Sequence, residues 1–262
     1  MTDKIFRKIE AEISKLHIRD QGVEDFKVEE DVFDKPTLEA LYRLVNKGFI
    51  TAMGGSISTG KEANVFYALG EAERGLAIKI YRITTSNFKA MTDYLLGDPR
   101  FANIRHSKKS IVFEWTKKEF KNLMRAQEVG VRVPEPIVSE RNILIMEFIG
   151  KGEMHAPRLK DVGDQLEDPA SFFEIVIDYT AKLYQKASLV HADLSEFNIL
   201  VEGGDGTDAM PVFIDIGQGV TLDHPNAEEF LKRDVHNICR YFKKFGVNCE
   251  EEAILERVRG KA

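Results

Sequence analysis

Cysteine is nearly absent from this chain. Cys239 and Cys249 are the only two, with no framework spacing, so two packed thiols in a reducing cytoplasm are expected rather than a disulfide. No apolar run approaches the length of a membrane span. The first residues, Met1-Thr2-Asp3-Lys4-Ile5, lack the apolar core of a signal peptide. The expectation is a soluble, cytoplasmic protein. There is no excess of positive charge either: 37 Lys and Arg face 43 Asp and Glu, for a net charge of −6. Bulk electrostatics therefore do not favour nucleic acid, although local basic clusters could still touch it. Repeats and low-complexity tracts are missing as well. What is present is 43% hydrophobic content over 262 residues, enough to bury the core of one large domain or of two lobes.

Ile5, Phe6, Ile9, Ile13 and Leu16 recur at helical spacing, and 21–34 is acidic and irregular, as a linker would be. Pro36-Thr37-Leu38 opens a second helix that Gly48 stops. A strand pattern starts near Ile50, is broken by Gly54-Gly55, and resumes at Ala63–Ala68; Leu76–Tyr81 is its neighbour. Residues 84–110 have weak periodicity and a Gly97-Asp98-Pro99 breaker, and read as a long mobile insertion. A helix ending near Gly130, a buried strand over Ile143–Ile149, a helix opened by Asp168-Pro169, a closing helix over Pro225–Phe245 and a short last one over 250–259 complete the order. The fold class expected is α+β and bilobal. An N-terminal helix and linker (1–35) precede a strand-rich N-lobe (36–149) carrying the 84–110 insertion, and a helical C-lobe (150–262) follows.

The densest chemistry is His191-Ala192-Asp193-Leu194-Ser195-Glu196-Phe197-Asn198, followed by Phe213-Ile214-Asp215-Ile216-Gly217. An H-x-D-L-x-x-x-N loop with a second acid at the end of an apolar run is what phosphoryl transfer requires. One carboxylate orients the attacking oxygen and takes its proton, while an amide and another carboxylate hold the metal. Asp193 is the expected base, and Asn198 and Asp215 the expected ligands of Mg2+, with Mn2+ as the substitute. His191 is expected to bond backbone, Ser195 and Glu196 to neighbour the reacting oxygens, and Asp234 to be a solvated or capping acid. A surface turn capped by Asp193 is the bland alternative.

Gly55-Ser56-Ile57-Ser58-Thr59-Gly60-Lys61 matches G-x-x-x-x-G-K, but Glu62 stands where a P-loop needs Ser or Thr, and a strand pattern follows where a helix should. The better reading is a strand-loop-strand lid whose backbone N–H groups, from Ser58 through Thr59 and Gly60 to Lys61 with Glu62 beside them, approach the phosphates of ATP. A plain Gly-rich hairpin is the alternative. Lys79 ends an Ala-Ile-Lys strand segment and is the expected phosphate clamp. Glu119 is favoured as its partner inside a helix that starts early, with Glu114 second. In the competing reading Thr116–Glu119 is a capping box and Glu119 contacts no lysine. Met146, Glu147 and Ile149 close a buried strand, where the Glu147 carbonyl and the Ile149 amide would meet adenine.

Ser58-Thr59-Gly60-Lys61-Glu62-Ala63, the 191–198 loop and Ile214-Asp215-Ile216-Gly217-Gln218 closely resemble the RIO kinases, specifically the first RIO subfamily, over about residues 36–246. The second subfamily usually carries I-D-F-P-Q at the metal strand. The resemblance implies an atypical protein serine/threonine kinase that binds ATP and Mg2+, autophosphorylates, hydrolyses ATP, and acts in maturing the small ribosomal subunit, whose precursor would be its partner. Only 47 residues follow Asp215 and no A-P-E motif appears among them. An activation segment and peptide-docking helices are therefore expected to be missing, and the short tail suggests an archaeal-type member. Two other functions stay open: an ATP-switched assembly factor with little phosphorylation of other proteins, and a small-molecule phosphotransferase, which uses the same loop. Within the insertion, Arg100, Arg105, His106, Lys108 and Lys109 form a basic cluster around Ser107 and Ser110, the candidate autophosphorylation sites. The cluster would contact ribosomal RNA phosphates, against the bland reading of a solvated connector.

Overall fold

The computed structural model describes residues 34–83, 88–101, 107–204 and 208–261. The expected helix over 4–18, nearly all of the 21–34 linker, Arg105 and His106 lie outside the described residues. The first described helix, α1 (Lys35–Asn46), begins where Asp34 accepts from the Thr37 N–H at 2.9 Å, with proline inside its first turn. Five strands form one antiparallel sheet: β1 (Ala52–Thr59), β2 (Ala63–Leu69), β3 (Gly75–Tyr81), β4 (Pro136–Glu140) and β5 (Ile143–Glu147), in the order β1-β2-β3-β5-β4. Leu38, Leu41 and Leu44 of α1 pack on Phe66, Ile78, Ile80, Ile143 and Ile145 to make the core of this lobe.

Two expectations need correction. The strand that starts near Ile50 is not broken at Gly54-Gly55. β1 runs through both glycines and shifts register against β2 between Met53 and Ser56 and again by Ser58. A Cβ at Gly54 would come within 2.7 Å of the Tyr67 ring, so glycine lets β1 lie close to β2 rather than ending it. Nor is 84–110 a structureless insertion. Its described part contains α2 (Phe88–Leu96) and a short 3-10 turn (Pro99–Phe101), and Met91, Leu95 and Phe101 are buried with Tyr81, Ile111 and Trp115. This helix packs through Met91 and Leu95 on the start of the next one, α3 (Lys108–Glu128), a long-range contact that weak local periodicity did not reveal.

After β5 the chain forms a small hairpin, β6 (Gly150–Lys151) and β7 (Met154–His155), and one helical turn, α4 (Leu159–Val162). The helical lobe is built on α5 (Pro169–Gln185), α6 (Ala227–Phe242) and α7 (Glu251–Arg259). Phe172, Phe173, Val176, Leu231, Val235, Ile238, Ile254 and Val258 fill its core. Between α5 and α6 lie β8 (Leu189–Val190), β9 (Ile199–Glu202), β10 (Met210–Phe213) and β11 (Val220–Thr221). β9 pairs with β10 and β8 with β11, all antiparallel. The 191–198 loop therefore joins β8 to β9, and Asp215 follows β10. The two short ladders bring both acids to the face that meets the five-stranded sheet.

Leu41 is fully buried at the interface of α1 with the sheet, so Leu41→Ala should lower the unfolding free energy by about 2–5 kcal/mol through lost transfer energy and the cavity left behind. Urea titration followed by circular dichroism checks this. A loss under about 1 kcal/mol would mean that α1 is not integral to the lobe.

Candidate active site between the lobes

A cleft of about 340 Å³ opens between the sheet and the helical lobe, within the size range of small-molecule sites. Ser58, Gly60, Lys61 and Glu62 from the β1–β2 loop, Lys79 from β3, Met146, Glu147 and Ile149 from the lobe connection, and Asn198 and Asp215 from below all line it. Thr59 does not. It is exposed at the end of β1, next to Ser58, which lines the cleft. Glu147 lines the cleft, while its carboxylate is held by Arg132 in two bonds of 2.7 and 2.9 Å. The side chain thus braces the connection and leaves the backbone to face the cleft.

At the centre is Lys79, on β3 between Val65 of β2 and Leu144 of β5. Its ammonium bonds Glu119 Oε1 at 2.7 Å and Asp215 Oδ1 at 2.8 Å. Burial opposes its charge, but Asp215 and Glu119 outweigh it and hold the pKa well above the usual value. Glu119 lies within α3, not at its start, and Tyr81 donates its hydroxyl to the second carboxylate oxygen. Glu114 instead pairs with Lys117 on the surface. Asp215 takes a left-handed backbone conformation, φ 58°, and the Lys79 charge keeps its carboxyl below the ordinary carboxylate range.

Across the cleft the 191–198 loop is clasped from two sides. Asn198 donates its amide to the Asp193 backbone oxygen at 2.8 Å and to Asp193 Oδ2 at 3.0 Å. Gln218 donates to that same Oδ2 at 3.2 Å. His191 donates from Nε2 to the Ile214 carbonyl at 3.1 Å, and burial pushes its pKa down to about 4, so the ring is neutral and structural. Asp193 behaves oppositely to Asp215. Burial and the Asp215 charge raise its carboxyl to about 6 despite the Asn198 amide. Asp193 does not itself line the cleft; it sits behind Asn198, which does, and two neighbouring acids with pKa values pushed apart are set up for different tasks.

Asp234 was expected to be solvated or capping. It is buried in α6 and accepts the backbone N–H groups of Ala192 and Leu194 at 2.8 and 2.9 Å. Burial raises its pKa to about 7 against the pull of those two donors. Its place among Leu231, Val235 and Ile238, all on the inner face of α6, was the signal that could have found it. Arg233 beside it donates to the Ala192 carbonyl. His155 and Arg158 also line the cleft, and no pattern in the sequence marked them.

Of the described members of the basic cluster, one leaves the surface patch. Arg100 is turned inward onto Asp98 and Asn122. Ser107 caps α3 by accepting from Ser110 N–H at 3.2 Å, and the two hydroxyls are 2.7 Å apart. Ser107, Lys108 and Lys109 remain exposed.

Among known proteins, a family model described as the RIO domain matches residues 64–254. The chain is 47% identical over 258 residues to the RIO-type serine/threonine-protein kinase Rio1 of Haloferax volcanii, spanning 98% of this chain and 86% of that protein. It is 41% identical over 240 residues to the protein of the same name from Methanocaldococcus jannaschii, spanning 91% and 79%. The crystal structure of the Rio2 kinase–ADP/Mg2+–phosphoaspartate complex from Chaetomium thermophilum aligns with a TM-score of 0.66 at 25% identity, covering 86% of this chain and 66% of that one.

The raised pKa of Asp193 has a stability consequence. Unfolded, this carboxyl titrates near 4; folded, it titrates at about 6, so the folded state binds the proton more tightly and stability declines as pH rises through that window. Asp193→Asn keeps an oxygen for Asn198 and Gln218 and removes the charge. It should stabilise the nucleotide-free protein by about 1–2 kcal/mol at pH about 7.5, a value reduced for solvent access, and have little effect at pH about 4. Thermal melts of both proteins at the two pH values test this, and equal melting temperatures at the higher pH would contradict it.

Proposed function

The chain belongs to the RIO family of atypical serine/threonine kinases, and we propose that it transfers the γ-phosphoryl group of ATP to a serine or threonine hydroxyl, its own included. The observation that carries this reading is the Lys79 ammonium held between Glu119 and Asp215, in one cleft with Asn198, which bonds Asp193. Adenine would enter against Met146 and between the Glu147 carbonyl and the Ile149 amide. The loop from Ser58 to Glu62 would cover the phosphates, and Lys79, kept charged by its two partners, would grip them.

The donor set fits a hard divalent cation. Asn198 uses its amide N–H groups on Asp193, which leaves its oxygen free to ligate, and Lys79 engages only Oδ1 of Asp215. Asn198 and Asp215 would therefore hold Mg2+, with Mn2+ as substitute, and phosphate oxygens and water would complete the shell. The bound ion would neutralise charge on the phosphates. Asp193, aimed by Asn198 and Gln218, accepts the proton of the attacking hydroxyl as that oxygen bonds the γ-phosphorus and the bond to ADP breaks. With water as acceptor the same steps amount to ATP hydrolysis.

A second reading concerns the acceptor. Only a 3-10 turn (Ile216–Gln218) and β11 separate Asp215 from α6, which leaves little room between them for a segment that docks a peptide. The Chaetomium Rio2 kinase has been solved with a phosphoaspartate. Asp215 of this chain is the matching candidate to take the phosphoryl group and release it to water, giving a slow ATPase that switches an assembly factor. The family resemblance supports the precursor of the small ribosomal subunit as the partner and the cytoplasm as the place. No helix among the described residues is long and apolar enough to cross a membrane. A small-molecule acceptor is the third reading, tested by a screen of hydroxyl compounds. Ser107, exposed at the start of α3, is the first candidate for autophosphorylation and Ser110 the second. A phosphate there adds about 1.5–2 negative charges beside Lys108 and Lys109 and would weaken RNA contacts made by those lysines.

Asp193→Asn should cut phosphoryl transfer by about 10²–10⁴-fold while leaving ATP affinity nearly unchanged, because the base positions the acceptor and takes a proton without holding nucleotide. Single-turnover assays with equilibrium nucleotide binding decide this, and turnover near that of the parent protein removes Asp193 from the role. Incubation with Mg2+ and labelled ATP, alone and with small-subunit precursors, followed by mass spectrometry, identifies the acceptor. Hydroxylamine-sensitive label that disappears in Asp215→Ala is the expected sign of the aspartyl route. Label that is wholly stable to hydroxylamine and maps to Ser107 or Ser110 would favour the kinase reading alone.

A further inference from the structure

Helix α3 delivers Glu119 to Lys79, and the residues around Glu119 do something else. Lys118 is fully buried, and its ammonium bonds the carbonyls of Gly217 at 2.7 Å and Gly219 at 2.6 Å. One turn further on, Asn122, also fully buried, donates Nδ2 to the carbonyls of Ile216 and Gly219, each at 2.9 Å. All these carbonyls belong to the turn that follows Asp215 and carries Gln218. The approach is possible because two positions lack a side chain. A Cβ at Gly217 would lie 3.1 Å from Trp115 Nε1, and one at Gly219 would lie 3.0 Å from Asn122 Nδ2.

An asparagine amide can face either way, and Arg100 decides which. Its Nη1 donates to Asn122 Oδ1 at 2.8 Å. A guanidinium only donates, so it fixes the oxygen end towards itself and leaves the NH2 end for the carbonyls. Arg100 is in turn gripped by buried Asp98, which accepts from Nε at 2.9 Å, from Nη2 at 2.5 Å and from the Arg100 backbone N–H at 3.1 Å. Asp98 and Arg100 lie on the segment between β3 and α3, in sequence far from Asp215.

We propose that Asp98, Arg100, Asn122 and Lys118 form a positioning relay. The 98–100 segment sets the orientation of the Asn122 amide, and Asn122 with Lys118 holds the 216–219 turn so that Asp215 and Gln218 keep their places against Lys79 and Asp193. None of the four lines the cleft as a contact for nucleotide or acceptor; they act through the turn. The relay makes the geometry of the metal-binding carboxylate depend on a part of the chain that its sequence marks only as a connector. It rests on the assignment of Asp215 as a metal ligand.

Asn122→Asp is the sharpest probe. It is isosteric and still accepts from Arg100, but it sets a carboxylate oxygen against two carbonyl oxygens. The readout is the affinity for Mn2+ of the full chain bound to a non-hydrolysable ATP analogue, followed by electron paramagnetic resonance, beside the affinity for the analogue without metal. Residues supporting a metal ligand typically change affinity by about 10–100-fold. Mn2+ affinity should weaken by that much in Asn122→Asp and by about 3–10-fold in Arg100→Gln, with metal-free analogue affinity within about twofold. The double variant should be no worse than Asn122→Asp alone, because the two act in series. Leu123→Ala, a core change on the same helix, should lower the melting temperature without moving Mn2+ affinity. If Asn122→Asp does not fold, Arg100→Gln carries the test. Parent-like Mn2+ affinity in the folded variants, or an equal loss in Leu123→Ala, overturns the relay. Asp215→Ala run alongside separates the two claims: a loss there with none in Asn122→Asp or Arg100→Gln overturns the relay alone, and no loss in Asp215→Ala overturns the metal assignment and the relay with it.

Discussion

A buried ammonium cannot remain charged without partners, and the Lys79 ammonium has two carboxylates from elements that lie far apart in the chain. β3 brings the lysine, α3 brings Glu119 and the turn after β10 brings Asp215. Removing Lys79 would leave the two carboxylates facing each other without their shared cation in the interface between the lobes, so this triad constrains the sheet, the long helix and the helical lobe together. It also keeps Lys79 protonated and Asp215 ionised in the same place. A site proposed to receive a triphosphate and a divalent ion needs both in that state before either arrives.

The two acids, Asp193 and Asp215, titrate differently because their surroundings differ. Asp215 faces a fixed positive charge, and its proton is lost easily. Asp193 faces Asp215 and is partly shielded from water, so it holds its proton up to about pH 6 and can accept and release one near neutrality. What keeps them from rearranging is backbone tethering. Asp234 holds the N–H groups of residues 192 and 194, and Lys118 and Asn122 hold the carbonyls of the turn after Asp215. α6 and α3 thus clamp the two loops from opposite sides, and the electrostatic strain between the acids is held by packed helices.

Much of this was legible along the chain. The H-x-D-L-x-x-x-N loop, the acid after an apolar strand, the glycine-bearing hairpin and the capped helix at Asp168 are local patterns, because a turn, a cap or an alternating strand depends on residues only a few positions apart. Those patterns marked the residues proposed to bear the chemistry, the main helices and the central strands, and the kinase-like class. They favoured Glu119 as the partner of Lys79 without ruling out Glu119 as a helix cap, since both obey the same local rules. They misjudged Asp234, Arg100 and the 84–110 segment for one reason: a polar residue looks solvated until something distant is found to bond it. Only the tertiary structure, by folding α3 across the turn after Asp215 and α6 against the loop before it, decided that these charges are internal. Burial and hydrogen-bond partnership are properties of contacts between segments far apart in the chain, 136 residues in the case of Lys79 and Asp215, which no local spacing encodes.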